Sequence, residues 1–329
     1  MKTILITGGG GFIGSNLAAA LCVRGTHRVV VCDRFGTDDK WRNLAHHPVW
    51  EIIPPEGLPG WLIEHRGDLE VIYSLAASSS TTEKNIDLLI ANNFSFPLAL
   101  WRFCVKHGVR FFHTSSAATY GDGSLGFDDD INLEALKKLV PLSGYGWSKH
   151  LFDLHLAADT AVGTKPPQWT VLKMFNNYGP NEYHKETQRS VIGQIAQQAI
   201  DAKTLRLFRS YNKDYPDGGQ MRDVIYVKDC IAVLLWLLDN TSVNGLFNLG
   251  SGKARTFSDM GKAVFAALSR EPRINYIDMP DGLINKYQYF TEAKMDRLRA
   301  AGYTAPFTSI EDGIKDYVLN YLVKPDPYL

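Results

Sequence analysis

Residues 3–33 read TILITGGGGFIGSNLAAALCVRGTHRVVVCD, and this stretch decides the fold of the first part of the chain. A short apolar run, Thr3 to Thr7, enters a glycine-rich turn that an apolar helical stretch follows. Gly8, Gly11 and Gly14 would allow a tight turn, a close approach of the backbone to a pyrophosphate, and close packing of the helix on the strand. The N-terminus of that helix would face the phosphate charge. The stretch therefore predicts a strand, a turn and a helix that bind a dinucleotide.

A second predicted strand, Arg28 to Cys32, ends in an aspartate. Asp33 lies about 20 residues past the turn, where a carboxylate would hold the adenosine ribose hydroxyl groups. This favours NAD, whereas Arg34, Lys40 and Arg42 could meet the 2′-phosphate of NADP. The residues alone leave the choice between the two dinucleotides open.

Strands alternate with helices from residue 3 to 116, which predicts an α/β fold with a Rossmann-like doubly wound parallel sheet. Ligands would bind at the carboxyl ends of its strands. Asn92 and Asn93 are predicted to start a helix as its caps. The later segments predict a smaller mixed α/β substrate-binding lobe. We expect a dinucleotide-binding domain at 1–175 with a return segment at about 224–258, and the second lobe at 176–223 and 259–329.

A third group of residues carries acid–base chemistry. Tyr145 and Lys149 are four residues apart, which on a helix places the phenol and the ammonium on one face, one turn apart. A lysine beside a tyrosine stabilises the phenolate and lowers its pKa, so that the phenol can act as a general acid or base. Ser116, at the end of a predicted strand, could hold the alcohol or carbonyl whose proton Tyr145 exchanges.

The composition excludes several classes of function. The chain has 35 basic and 35 acidic residues, so no cationic field attracts nucleic acid. Four widely spaced cysteines indicate reduced thiols in a cytoplasmic protein. No apolar run approaches the roughly 20 residues that span a bilayer, so no membrane association is expected. The run Asp128–Asp130 is interpreted as part of a solvated loop and short helix at 122–140 rather than as a metal site, and no metal is predicted.

Three motifs together resemble the extended short-chain dehydrogenases/reductases that act on nucleotide sugars: TGGGGFIG at 7–14, SSAATYG at 115–121 and Tyr145-x-x-x-Lys149. Within that group the sequence is similar to the ADP-glyceromanno-heptose 6-epimerase family. The segments that carry this similarity are SSTTE at 79–83, FNNYGP at 175–180, His184-Lys185, MRDVIYV at 221–227, GLFNLG at 245–250, YQYFT at 287–291 and LRAAGY at 298–303.

The resemblance implies an isomerase that inverts C6 of ADP-D-glycero-D-manno-heptose, a precursor of the lipopolysaccharide core. It implies tightly bound NADP, with NAD as the alternative, and a homo-oligomer. Tyr145 would exchange a proton on one face of the sugar and Lys185 on the other, with Lys149 and Ser116 assisting. The predicted cofactor contacts are Gly8, Gly11, Phe12, Ile13, Gly14, Asp33, Arg34, Lys40, Leu75, Ala76, Ala77, Ser79, Asn92, Lys149, Asn177 and Lys185. The predicted substrate contacts are Ser116, Asn176, Thr187, Gln194, Phe208, Arg209, Ser210, Arg222 and Tyr287.

Two other functions fit part of this pattern. Another nucleotide-sugar epimerase, such as a UDP-sugar 4-epimerase, shares the motifs up to Lys149 but does not require Lys185. A non-catalytic dinucleotide sensor would keep the glycine turn, although Tyr145 and Lys149 argue against it. A 4,6-dehydratase is disfavoured because Ala117 and Ala118 stand where that group has an Asp-Glu pair.

Overall fold

The computed structural model describes residues 1–284 and 287–329. Within this part of the chain there are strands β1 (Thr3–Thr7), β2 (Arg28–Cys32), β3 (Glu51–Ile53), β4 (Leu69–Ser74), β5 (Arg110–Ser116), β6 (Trp169–Met174), β7 (Asn176–Tyr178), β8 (Leu205–Phe208), β9 (Met221–Tyr226), β10 (Gly245–Leu249), β11 (Ala254–Thr256) and β12 (Ile274–Ile277).

The α-helices are α1 (Phe12–Arg24), α2 (Leu58–His65), α3 (Ile86–Ile90), α4 (Phe96–His107), α5 (Leu133–Leu136), α6 (Gly144–Ala161), α7 (Val191–Asp201), α8 (Val227–Asp239), α9 (Phe257–Ala267), α10 (Asp281–Ile284), α11 (Asp296–Ala300) and α12 (Ile310–Tyr317). Short 3₁₀ segments lie at Asp39–Leu44, Ala117–Tyr120 and Tyr183–Gln188, and π-helical turns at Ala91–Ser95 and Val318–Leu322.

A seven-stranded sheet in the order β10-β6-β5-β4-β1-β2-β3 forms the centre of the molecule. All its strand pairs are parallel. Helices cover both faces, so most residues of its inner strands are buried, including every residue of β1 and β6. One core cluster contains residues of α1 and α8 and the other contains residues of α2, α4 and α6. The predicted doubly wound parallel α/β fold is confirmed, and the carboxyl ends of β1, β4 and β5 converge where the chain order reverses.

The smaller lobe is built around two short sheets, β11-β9-β7 and β12-β8. Its helices α7 and α9 pack against each other, and α9 also contacts α12. The chain returns to the large sheet through α8 and β10, because β10 pairs with β6 from Gly245 to Leu249. The two parts of the fold are therefore interleaved along the sequence.

The prediction that Asn92 and Asn93 start a helix is wrong. The helix begins at Ile86, and Asn85 caps it by accepting a hydrogen bond from the Leu88 amide at 3.0 Å. Asn92 and Asn93 lie in the π-helical turn that joins α3 to α4, where the Phe96 amide donates to the Ala91 carbonyl, five residues back.

The helical stretch Ile86–His107 also corrects the prediction about apolar length. It has 22 residues and is long and apolar enough to cross a membrane by length and composition. A core helix of a folded domain passes the same test. Here Leu98, Trp101 and Cys104 of α4 are buried in the core cluster that includes strands β4 and β5.

The segment 122–140 is less solvated than predicted. It contains the expected short helix, α5, but Asp129 is buried and accepts a hydrogen bond from the Asn248 amide at 2.8 Å. Arg297 contacts Asp129 at 3.3 Å and Asp130 at 3.4 Å. The acidic run thus ties this segment to β10 and α11.

Candidate active site

The glycine turn after β1 has no room for side chains. Gly8 has φ = 73°, and a Cβ there would lie 2.7 Å from the backbone of Ala76. A Cβ on Gly14 would lie 2.2 Å from the Gly8 carbonyl oxygen. The absence of these atoms lets α1 start directly under the turn, with its first amides directed toward the cleft. This cradle fits the pyrophosphate of a dinucleotide.

Asp33 lies at the end of β2 and closes the adenosine side of the same cradle. Its carboxylate accepts hydrogen bonds from the Gly10 amide at 2.8 Å and from Lys40 Nζ at 2.7 Å. Arg34 extends outward and pairs with Glu56. One acidic and two basic side chains therefore meet where the 2′-position of an adenosine ribose would lie.

A cleft of about 1180 Å³ runs from this cradle across the carboxyl ends of the central strands. Its size is sufficient for a dinucleotide together with part of a second ligand. Many of the predicted site residues line it: Gly8, Gly11, Phe12, Ile13, Gly14, Asp33, Arg34, Lys40, Leu75, Ala76, Ala77, Ser79, Asn92, Ser116, Tyr145, Lys149, Asn176, Asn177, Lys185, Thr187 and Gln194.

The structure brings Ser116, Tyr145 and Lys149 together on this cleft. Helix α6 starts at Gly144, where the Ser143 hydroxyl caps it by accepting from the Gly146 amide at 3.1 Å. Burial raises the pKa of Tyr145, and a hydrogen bond with Ser116 opposes that rise. This differs from the lowered pKa that the sequence predicts, because removal of the phenolate from water outweighs the stabilisation by its neighbours.

Lys149 is buried and its Nζ donates to the Thr114 carbonyl at 2.8 Å. Desolvation lowers the pKa of Lys149 to about 8, and the charge of Asp153 works against this shift. The lysine is thereby fixed on β5, one helical turn from Tyr145.

A buried ion pair lies behind these groups. The Asp153 carboxylate contacts Lys173 Nζ at 3.1 Å and accepts from the Ser115 hydroxyl at 2.9 Å, and neither charged side chain is exposed. Lys173 also donates to the Thr119 hydroxyl at 2.7 Å. The charge of Asp153 raises the pKa values of both Tyr145 and Lys149, so this pair forms part of the electrostatic environment of the site.

Lys185 enters the same cleft from the smaller lobe. It lies in the 3₁₀ segment Tyr183–Gln188, and its Nζ is 4.9 Å from the centre of the Phe12 ring. Desolvation lowers the pKa of Lys185, with the charge of Glu182 opposing the shift. A lysine with a lowered pKa can exchange a proton nearer to neutral pH.

Two further residues near the cleft were not predicted as site residues, although His184 belongs to one of the segments that carry the family similarity. His184 lies beside Asn43, whose Nδ2 is 3.1 Å from His184 Nδ1 and donates to the Gly10 carbonyl at 2.9 Å. Desolvation lowers the pKa of His184 to about 4, so the imidazole is neutral at pH 7. The two residues are 141 positions apart, and only the folded chain brings them together.

Asn93, predicted only as a cap, instead organises the cleft wall. It is fully buried, and its Oδ1 accepts a hydrogen bond from the Ser78 amide at 2.8 Å. Its Nδ2 donates to the Ser78 carbonyl at 3.0 Å and to the Ser148 hydroxyl at 2.9 Å. It therefore joins the loop after β4 to helix α6, while its neighbour Asn92 lines the cleft.

The remaining predicted substrate contacts do not line the cleft: Phe208, Arg209, Ser210, Arg222 and Tyr287. They form a second group in the smaller lobe. The Arg222 guanidinium lies 5.3 Å from the Tyr287 ring and 5.9 Å from the Phe257 ring. Among the described residues it forms no ion pair, and burial lowers its pKa.

The sequence also fits a known family. Residues 4–250 match the model of the NAD dependent epimerase/dehydratase family, so the chain belongs to that family. It is 46% identical over 327 residues to an ADP-L-glycero-D-manno-heptose-6-epimerase of Nitratidesulfovibrio vulgaris, with 99% of each chain covered. It is 40% identical over 336 residues to the protein of that name from Fusobacterium nucleatum, with 99% of this chain and all of the other covered.

A solved structure gives the same relationship. The ADP-L-glycero-D-manno-heptose-6-epimerase of Helicobacter pylori superposes with a TM-score of 0.78 at 27% identity, covering 97% of this chain and 96% of the other. The family resemblance inferred from the sequence motifs is thereby confirmed.

Proposed function

We propose that this protein is an isomerase that inverts C6 of ADP-D-glycero-D-manno-heptose and supplies a precursor of the lipopolysaccharide core. The observation that carries the proposal is that Tyr145 and Lys185, two groups able to exchange protons, line one cleft with a dinucleotide cradle. Full-length similarity to proteins named for this reaction supports it.

A nicotinamide bound in the cradle would supply the redox chemistry, which is reversible hydride transfer at C6 of the sugar. The chain supplies the proton transfers. Ser116 orients the C6 oxygen, and Tyr145 removes or returns its proton on one face. Lys185 does the same for the opposite epimer, so that the carbonyl can be protonated from either side. Lys149 would hold the cofactor ribose, and its positive charge would stabilise the tyrosinate.

We propose that the dinucleotide is NADP. Lys40 is 2.7 Å from Asp33 and can neutralise it, while Arg34 is free to turn from Glu56 toward a 2′-phosphate. The test is the mass of the nucleotide that copurifies with the protein, since the two cofactors differ by one phosphate. Copurified NAD would overturn this choice without affecting the rest of the proposal.

The reaction is tested by incubating the holoprotein with ADP-D-glycero-D-manno-heptose and following the C6 epimer by NMR. We expect the L-glycero epimer to form. Tyr145→Phe and Lys185→Met should each abolish most of this activity while bound cofactor is retained. Lys262→Met, at an exposed lysine on α9, is the matched control and should leave the rate unchanged.

Two outcomes contradict the proposal. No epimer from the ADP-heptose excludes the substrate, and turnover of UDP-glucose instead would identify a 4-epimerase. Full activity of Lys185→Met would remove Lys185 from the reaction.

We also propose that the protein acts in the cytoplasm as a homo-oligomer. Exposed apolar side chains on and beside α3 and α6 support self-association: Ile86, Leu88, Leu142 and Trp147. Light scattering on the purified protein tests the oligomer, and a monomer at micromolar concentration would contradict it. Fractionation of cells with an antibody tests the location.

A further inference from the structure

The segment 326–329 folds back onto the two 3₁₀ segments that flank one end of the cleft. Tyr328 packs edge-on against the Tyr183 ring, with centroids 5.2 Å apart, and lies 4.4 Å from the Arg42 guanidinium. The Pro327 carbonyl accepts from the Tyr183 hydroxyl at 2.8 Å. Tyr328 therefore stands between the segment that contains Lys185 and the segment that contains Lys40.

Polar contacts of two further residues, Asp326 and Leu329, extend this attachment to both sides. Asp326 contacts Arg42, within the 3₁₀ segment Asp39–Leu44, at 3.5 Å, and His46, just after that segment, at 3.0 Å. The Leu329 amide donates to Asn181 Oδ1 at 3.0 Å. Asn181 is fully buried, adopts φ = 71°, and donates in turn to the Asn43 carbonyl at 3.3 Å.

The segment that carries Lys185 needs such support because its own backbone is irregular. Glu186 has φ = 47° and ψ = −114°, which interrupts the 3₁₀ turn directly after Lys185. A non-glycine residue in such a conformation persists only where the surroundings hold it. On its other side, Glu182 is anchored by the Ser190 hydroxyl at 2.7 Å and the Tyr317 hydroxyl at 3.0 Å.

We propose that Tyr328 and Asp326 are positioning residues that hold Lys185 at the reaction centre. They act by clamping Tyr183, two residues before Lys185, against Arg42 and His46. This inference rests on the proposed role of Lys185 as an acid/base. It assigns a part in the reaction to side chains that touch neither cofactor nor substrate.

The test is Tyr328→Ala in the holoprotein, with Tyr328→Phe as the matched control. Without the ring, Lys185 loses its support, and misplacement of an acid/base by about 1 Å costs roughly 100-fold in rate. We expect kcat for C6 inversion to fall by about 10- to 100-fold with KM nearly unchanged, since Lys185 acts in the transition state. The phenylalanine keeps the ring against Tyr183 and Arg42 and should restore the wild-type rate.

Hydrogen–deuterium exchange provides a readout that does not depend on turnover. Amides of 183–189 should exchange faster in Tyr328→Ala, whereas those of 145–149 should keep their wild-type protection. Asp326→Asn should give the same pattern of exchange with a smaller change. It replaces Tyr328→Ala as the test variant if Tyr328→Ala does not fold.

The outcomes separate the two proposals. If the wild-type protein does not invert the ADP-heptose, the proposed function fails, and the exchange pattern still tests the clamp. If the wild type is active and Tyr328→Ala has wild-type kcat, or exchanges at 183–189 like the wild type, the clamp is overturned. Loss of bound cofactor or equal loss of protection at 145–149 would also overturn it, because the effect would then be global.

Discussion

Asp153→Asn tests whether the buried ion pair behind the active site stabilises the protein. The side chain keeps its size, but its charge is lost and the Lys173 ammonium remains in a site without exposure to water. Breaking a buried pair by removing one partner costs about 3–5 kcal/mol. In the variant, Lys173 retains its hydrogen bond to the Thr119 hydroxyl at 2.7 Å and its contact with the Tyr120 ring at 4.4 Å. We therefore expect a loss of unfolding free energy at the lower end of that range, about 3 kcal/mol.

The assay is equilibrium unfolding in urea at pH 7, followed by fluorescence and circular dichroism. The double variant Asp153→Asn, Lys173→Met removes both charges and should recover most of the lost free energy of unfolding. A loss below about 1 kcal/mol in the single variant, or a double variant no more stable than the single one, would refute the reasoning.

The same substitution should also change the pH dependence of catalysis. The negative charge of Asp153 raises the pKa of Tyr145, so its removal should lower that pKa. The part of the pH–rate profile that reports deprotonation of Tyr145 should therefore move to lower pH in Asp153→Asn. An unchanged or upward shift, measured in folded protein below the unfolding temperature, would contradict this electrostatic link.

Three further predictions concern single residues. In cofactor-free protein, the pKa of Lys149 is lowered to about 8 from 10.5, so the unfolded chain binds more protons between these values and stability should rise with pH there. Relative to Lys149→Met, the gain between pH 7 and pH 10 should be about 2.5 kcal/mol by urea unfolding. Gly14→Ala should abolish retention of the dinucleotide, measured by absorbance of the purified protein, because its Cβ would lie 2.2 Å from the Gly8 oxygen. Arg297→Ala should cost about 1 kcal/mol, less in high salt, because its partly exposed guanidinium pairs with Asp129.

Local patterns in the sequence predicted the large sheet well. The apolar strands β1 and β2, the glycine turn between β1 and α1, and Asp33 all follow from spacing within about 30 residues. The parallel order then follows from the alternation of strands and helices. Tyr145 and Lys149 were predicted for the same reason, since one helical turn relates them.

Contacts between distant segments could not be predicted in this way. Asn43 meets His184, and Asn93 meets Ser78 and Ser148, only because the smaller lobe and the α3–α4 stretch pack onto the sheet. The direction of the Tyr145 pKa shift also required the fold, because desolvation depends on burial rather than on sequence neighbours.

The π-helical turn at Ala91–Ser95 has a consequence for insertions and deletions. It contains one residue more than an α-turn, and each helical residue turns the chain by about 100°. Deleting a residue here would let α3 and α4 join as a regular helix but would rotate one against the other by about that angle. Asn93 would then lose its hydrogen bonds with Ser78 and Ser148. The length of this helix is thus constrained more tightly than the identity of its exposed side chains.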